Sequence, residues 1–457
     1  MFPALALGTV MATLDISVVN IALPTLSRVF GVSLTTIEWV VLAYVLTITG
    51  LLLTLGRISD AVGRRRVYGI GLLVFVAASA LCAAASTAHL LVAARAIQGL
   101  GAAMMTANAS ALLIASFAPS ERGRALGAFG AVVGVGLALG PPFGGLVVAH
   151  LSWRWIFAAN LPLGLAAFWM LRVRVPEDPP GGRLRIDPTA ALLWSAALIA
   201  VLLALSRGPD QGWGAPSVWG AFATAALLGA WFVALQARAV DPLLPRDLRT
   251  RPFAIGLTLT LIGQALSIAV GFHMPLFLEE VWGFTAAESG RWLAVLPVVA
   301  LFMAPAAGRW VDRLGTRPLT MTGMALTAAG LAVLATLGAT PRPMGLIGGL
   351  ALVGIGQGMF AVSNSTAILS SAPPARLGVA SGLQATMRNL GIASGSAVTA
   401  AVVASRFAMH SGQRLAAVTL SPEGRVAFAS ATRDTYFVLA LVALIAVGLA
   451  AGTRRGV

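Results

Sequence analysis

The sequence predicts an all-α membrane protein of fourteen transmembrane helices, built as two six-helix bundles with two further helices inserted between them. Three observations predict it. Of the 457 residues 58% are hydrophobic and only 10% are charged, with a mean hydropathy of +0.88; an ordinary soluble domain carries about 25% charged residues. Apolar runs of the length that crosses a bilayer, about 20 residues, recur fourteen times. The pattern Gly-Arg-x-x-Asp-x-x-Gly-x-Arg occurs twice, as Gly56, Arg57, Asp60, Gly63, Arg65 and, 252 positions later, Gly308, Arg309, Asp312, Gly315, Arg317.

The spans fall near 2–23, 37–55, 67–86, 89–115, 125–149, 153–172, 188–206, 218–237, 253–278, 290–308, 319–338, 344–370, 378–404 and 435–452. Connections are short except 173–187, 238–252 and about 407–433. The first two are rich in Pro and Arg and bracket spans seven and eight. The predicted organisation is therefore 1–173 as an N-terminal six-helix bundle, 174–252 as a linker with two extra helices, and 253–457 as a C-terminal six-helix bundle. Further echoes support duplication: "APSER" (118–122) against "APPAR" (372–376), and Gln98-Gly99 against Gln357-Gly358.

Arginine sets the orientation, because cytoplasmic loops carry the excess of basic residues. With the N-terminus inside, twenty arginines fall in inside connections or the C-terminal tail and nine in outside ones, with Arg95 and Arg388 within spans. Both termini are expected to be cytoplasmic, in a multi-pass protein of the inner (plasma) membrane.

Composition also excludes functions. The net charge of +15 comes from arginine clusters between apolar runs, not from a basic face or tail, so nucleic acid is not an expected partner. Lysine is absent, which removes the phosphate-binding Lys of a Walker A loop and with it an ATP motor. A single cysteine, Cys82, and four scattered histidines give no disulfide and no metal-ligand spacing. No hydrolase triad signature, secretory leader or cofactor motif is read. The expected partners are the lipid bilayer, protons and a small-molecule substrate, amphipathic or cationic. The chain is expected to act as a monomer and not as an enzyme.

The repeated turn lies at the same inside position in both bundles. Its glycines permit close helix approach. Its Asp60 or Asp312 suits the positive end of a helix, and Arg57, Arg64, Arg65, Arg309 and Arg317 are donors for helix C-termini or carboxylates. Such a cluster can latch an inside gate; a plain positive-inside anchor is the bland reading.

Asp15 lies about 18 Å into the first span at 1.5 Å per residue. A carboxylate at that depth is costly and by default functional, here as a proton carrier; a structural tie to a neighbouring helix is the alternative. Arg95, about 9 Å from the outer end of span four, either pairs with a carboxylate or extends outward to the interface. Arg388 reads as structural. Gly136, Gly140 and Gly144, four apart, form a smooth face in span five, with Gly145 beside it and Pro141 and Pro142 bending the helix. Asn20, Gln98, Asn108, Gln264, His273, Gln357 and Asn364 are polar positions in spans that line a cavity or bond between helices. Glu279 and Glu280 at an outer mouth would attract cations or form a solvated loop edge.

"GRISDAVGRRR" (56–66) resembles the signature between the second and third helices of the major facilitator superfamily. "TLDISVVNIALPTL" (13–26), "LLVAARAIQGLGAA" (90–103), "GAVVGVGLALGPPFGG" (130–145), "WRWIFAANLPLG" (153–164) and "MRNLGIASG" (387–395) resemble stretches of its fourteen-helix drug:proton antiporter branch, the multidrug resistance type. The resemblance covers nearly the whole chain. It implies alternating access, proton coupling through Asp15 modulated by Arg95, an antiporter motif in span five, and export of drugs or secondary metabolites. One departure is Leu278-Glu279, where the branch often has Leu-Gln. Two rival readings are a proton-coupled transporter of a small polar metabolite, and a non-transporting receptor on the same scaffold. The receptor would need a large soluble domain, and none is visible.

Overall fold

The computed structural model describes residues 2–176, 187–412 and 421–452. Arg183, Arg185, Arg414, Arg454 and Arg455, which enter the charge count, lie outside the described residues. Every regular element described is helical: α1 Phe2–Phe30, α2 Leu34–Val62, α3 Arg64–Ala84, α4 Ala88–Ala115, α5 Arg122–His150, α6 Arg154–Arg174, α7 Pro188–Gln211, α8 Pro216–Arg238, α9 Arg251–Glu280, α10 Ala287–Leu314, α11 Thr316–Ala335, α12 Pro343–Ser371, α13 Leu377–Ser411 and α14 Pro422–Ala451. Among the described residues, thirteen of these segments are long and apolar enough to cross a membrane, α5 not being among them.

Helix starts follow local chemistry. Thr87 caps α4 through the Leu90 amide, Asp187 caps α7 ahead of Pro188, and Thr285 with Glu288 forms a reciprocal capping box at the start of the α10 region. The largest departure from the sequence reading is α14. It begins at Pro422 with Ser421 as its cap, 13 residues before the expected start at 435, so Arg425 and Arg433 lie on a helix and not in a loop. The signal was present in "SPEGR": a serine cap followed by proline in the first turn.

Helices α1–α6 pack largely among themselves, as do α9–α14, while α7 and α8 pair with each other and α7 rests on α2 and α13. Ser195 of α7 donates to the Gly50 carbonyl of α2 at 2.7 Å. The two six-helix sets meet along two seams, α2 with α13 and α5 with α10. One apolar cluster runs across both seams at the arginine-rich end, joining Leu52 and Leu55 to Val379 and Leu383, and Leu126 to Ala304 and Val311. Two other clusters stay within one set each: the first around Val18, Cys82 and Phe157, the second around Met274, Leu331 and Tyr436. The sets are thus welded at the arginine-rich end.

Candidate functional site: a buried ion pair and a reciprocal clamp

Asp15 and Arg95 meet inside the N-terminal set. Arg95 Nη1 donates to Asp15 Oδ2 at 2.5 Å and to Gln98 Oε1 at 2.7 Å, and its Nε donates to the Val40 carbonyl at 3.0 Å. Gln98 Nε2 donates to Asp15 Oδ1 at 3.1 Å and to Ser79 Oγ at 2.9 Å, and Asn160 Nδ2 reaches Asp15 Oδ1 at 3.4 Å. The Arg95 guanidinium lies 4.0 Å from the Tyr44 ring centre, close enough for a cation–π contact. Both charges are sealed, with neither side chain exposed, so the outward-extending reading of Arg95 fails. Two polar atoms in this pocket, Arg95 Nη2 and Tyr44 OH, have no partner among the described residues. Removing one partner of such a pair strands a buried charge.

Helix α5, which carries the glycine stretch 136–145, presses against this carboxylate's own helix, α1. A Cβ on Gly136 would meet Thr13 of α1, one on Gly140 would meet Ser17, and one on Gly144 would meet Val18, whereas Gly145 faces open space. The face expected from the four-residue spacing is real and its partner is α1. Gly145 is not part of it, and the Pro141 and Pro142 side chains lie outside the described residues.

The repeated pattern is explained position by position. Gly63 and Gly315 are the turns, at φ 110° and 84°, a region that side chains with a Cβ disfavour. Gly56 and Gly308 are the close approaches: a Cβ at either would collide with the backbone of Gly378 or Gly123 respectively, across the seams. Asp60 accepts from the amides of Gly378 (2.8 Å) and Val379 (3.0 Å) at the start of α13. Asp312 accepts from the amides of Gly123 (2.8 Å) and Arg124 (2.9 Å) at the start of α5. Each six-helix set therefore caps a helix of the other with one carboxylate. Arg65 donates to the Arg172 carbonyl at 2.8 Å, and Arg317 donates to the Ala451 carbonyl, so each ties its turn to the last helix of its own set. The copies differ elsewhere. Arg64 adds two bonds to Asp60 (3.0 and 2.8 Å) and one to the Pro374 carbonyl. Arg57 pairs with Asp241 in the segment after α8, while Arg309 is exposed.

That segment is a strap. Its Asp241 holds Arg57 on α2 and its Asp247 lies 3.4 Å from Arg376, just ahead of α13. Its own Leu243 and Leu248 are buried.

A model of the Major Facilitator Superfamily matches residues 5–396. The chain belongs to the major facilitator superfamily. It is therefore a multi-pass membrane transporter and not an enzyme. Among its superfamily relatives are an uncharacterized transporter of Escherichia coli (strain K12), YebQ, at 32% identity over 87% of both chains, and the tetracenomycin C resistance and export protein of Streptomyces glaucescens, at 33% over 88% of this chain and 75% of that one. The crystal structure of the human organic anion transporter MFSD10 (TETRAN) superposes with a TM-score of 0.70 at 15% identity, covering 98% of each chain. That likeness speaks to the fold alone.

Within this superfamily fold, the polar positions expected to line a cavity divide. Gln98 belongs to the Asp15 pocket. Asn108 is buried and bonds its own Met104 carbonyl, and Asn20 is exposed and bonds its own Ile16 carbonyl. Asn364 ties α12 to α9 through the Gly256 carbonyl and Thr260. His273, on α9, is buried against α14, 2.9 Å from Thr432 Oγ1, with the Phe428 ring tilted over it and Tyr436 edge-on: a hydrogen bond between helices, one of the two expected readings. Gln357 is buried with an unpaired Nε2, and Gln264 and Glu279 are half-buried. Sequence reasoning missed Tyr44, Ser79 and Asn160 around Asp15, and Gly123, Gly378 and Asp241 at the clamp. The APSER and APPAR echo pointed to the clamp glycines, which follow it by one and two residues.

Proposed function

We propose that the chain is a proton-coupled exporter of amphipathic small molecules that works by alternating access. The proposed architecture is fourteen spans, with α5 as the one besides the thirteen, bundles 1–173 and 253–457, a two-helix insert between them, and both termini in the cytoplasm of a plasma-membrane monomer. The observation that carries the reading is the reciprocal clamp. Two carboxylates on two pairs of helix-terminal amides hold the arginine-rich end closed, and they are contacts that water can replace when the end opens. The Asp15–Arg95 pair supports proton coupling: it is a buried carboxylate whose helix also packs on the antiporter-motif helix, so a change of charge there bears on a seam helix, α5. The name of the tetracenomycin C relative supports export as the direction.

The test is dye efflux from proteoliposomes under an imposed pH gradient. The expected result is uphill, gradient-dependent movement by the wild type. Asp15→Asn, which keeps shape and hydrogen bonds but cannot ionise, should move dye only downhill and independently of pH. Uphill efflux at the wild-type rate by Asp15→Asn would reject the coupling role.

A further inference from the structure

Arg388 sits well inside a span, twelve residues into α13; Arg433, as deep in α14, is exposed and lies 3.5 Å from Asp434. Arg95 is enclosed by partners. Arg388 has no hydrogen bond and no ion pair among the described residues, and it is only half-buried. A charge at that depth is retained at a cost and ordinarily faces a partner or a water-filled cavity.

The register of α13 says where it stands. Asn389, the next residue, donates to Thr49 Oγ1 of α2 at 2.9 Å, across the seam between the six-helix sets. Gln384, one turn earlier, donates to Ser365 of α12. Gly391, one turn later, lies against Leu261 and Gln264 of α9. Residues 384, 388 and 391 share a face of the helix, so Arg388 occupies the face that addresses α9 and α12, at the level where α13 also touches α2. Gln264 lacks a partner among the described residues as well and is half-buried.

The nearby carboxylates are committed elsewhere. Asp15 is closed by Arg95 within the other set, and Asp60 and Asp312 cap helices at the arginine-rich end. Glu279 and Glu280 end α9, about 22 Å along the helix from Gln264 at 1.5 Å per residue. A planar guanidinium free of protein acceptors matches a carboxylate or similar oxyanion in a two-bond fork.

We propose that Arg388 is the anion-binding residue of the substrate cavity, with Gln264 beside it, and that the cargo is an amphipathic molecule bearing a carboxylate, phenolate or related oxyanion. This rests on the exporter reading and replaces the cationic cargo expected from Glu279 and Glu280.

Two dyes that share a xanthene frame but differ in charge, fluorescein and rhodamine 123, test it by equilibrium binding to the purified full chain in nanodiscs. The wild type should bind fluorescein at least tenfold more tightly than rhodamine 123. Arg388→Gln should lose tenfold or more for fluorescein and nothing for rhodamine 123, and Arg388→Lys should keep part of the fluorescein affinity. A wild-type preference for rhodamine 123, or unchanged fluorescein binding by a folded Arg388→Gln protein, would overturn the proposal. Where Arg388→Gln does not fold, competition on the wild type decides. Benzoate should displace fluorescein and benzyltrimethylammonium should not; the reverse rejects the site. Binding is read without a gradient, so intact fluorescein binding with no proton-driven efflux would sink the exporter reading and leave this one standing.

Discussion

At the scale of single residues, the two charged groups of the N-terminal pocket depend on each other. Arg95→Ala leaves Asp15 buried without its cation, a loss on the order of 3–5 kcal/mol. The double variant Asp15→Asn/Arg95→Ala removes both charges and should recover part of it. Thermal unfolding of the two proteins in the same detergent checks this: equal destabilisation would mean that Arg95 acts through packing on Tyr44 and not through charge. The clamp carboxylates are unequal. Asp60 accepts from two amides and from Arg64, while Asp312 accepts from two amides. An unpaired buried donor costs about 1–3 kcal/mol, so Asp60→Asn should slow transport several-fold more than Asp312→Asn at equal surface expression. Wild-type rates in both would reduce the pattern to an anchor.

At the scale of helices, the seams exist because glycine removes the side chain where backbone meets backbone. Gly308 lies against the Gly123 carbonyl, so a larger residue must push α10 from α5. Gly308→Val should open the arginine-rich end. The chain's one cysteine, Cys82, is buried, so a cysteine placed at the buried Ala307 in a Cys82→Ser background reports the change. Its thiol should label several-fold faster when Gly308→Val is added, and an unchanged labelling rate would show that the seam absorbs the volume. The strap acts on one seam only. Asp241→Asn removes the partner of Arg57 and should raise labelling of a cysteine at Leu52 on α2 while leaving the Ala307 reporter unmoved.

For the whole molecule, the proposed fourteen spans and the arginine asymmetry predict that both ends of the chain lie on one side. Reporter fusions at Val457 and near Gly212 should therefore read opposite faces of the membrane. The same face for both would mean that α7 and α8 do not cross as a pair. The two sets share one apolar cluster at the arginine-rich end and have separate clusters away from it. On the proposed alternating-access reading, that division would let the ends open in turn without unpacking either set's interior.

The sequence by itself determined the helices and the repeat. Apolar runs of bilayer length must satisfy their backbone internally and so become helices, and the repeated glycine–arginine–aspartate pattern marked the inside turn of each half. It also singled out Asp15 and Arg95, since charge in so apolar a chain is conspicuous. It left open that these two meet, because residues 80 apart are joined by how α1 and α4 pack, which no local pattern encodes. The partners of Asp60 and Asp312 were hidden for the same reason: a backbone amide at a helix start carries no side-chain signature, and only the docking of one six-helix set on the other selects Gly378 and Gly123. For His273 and Asn20 the sequence left two readings open, because a polar residue in a span looks alike whether it lines a cavity or bonds to a neighbouring helix; tertiary packing alone gives His273 its partner, Thr432 of α14.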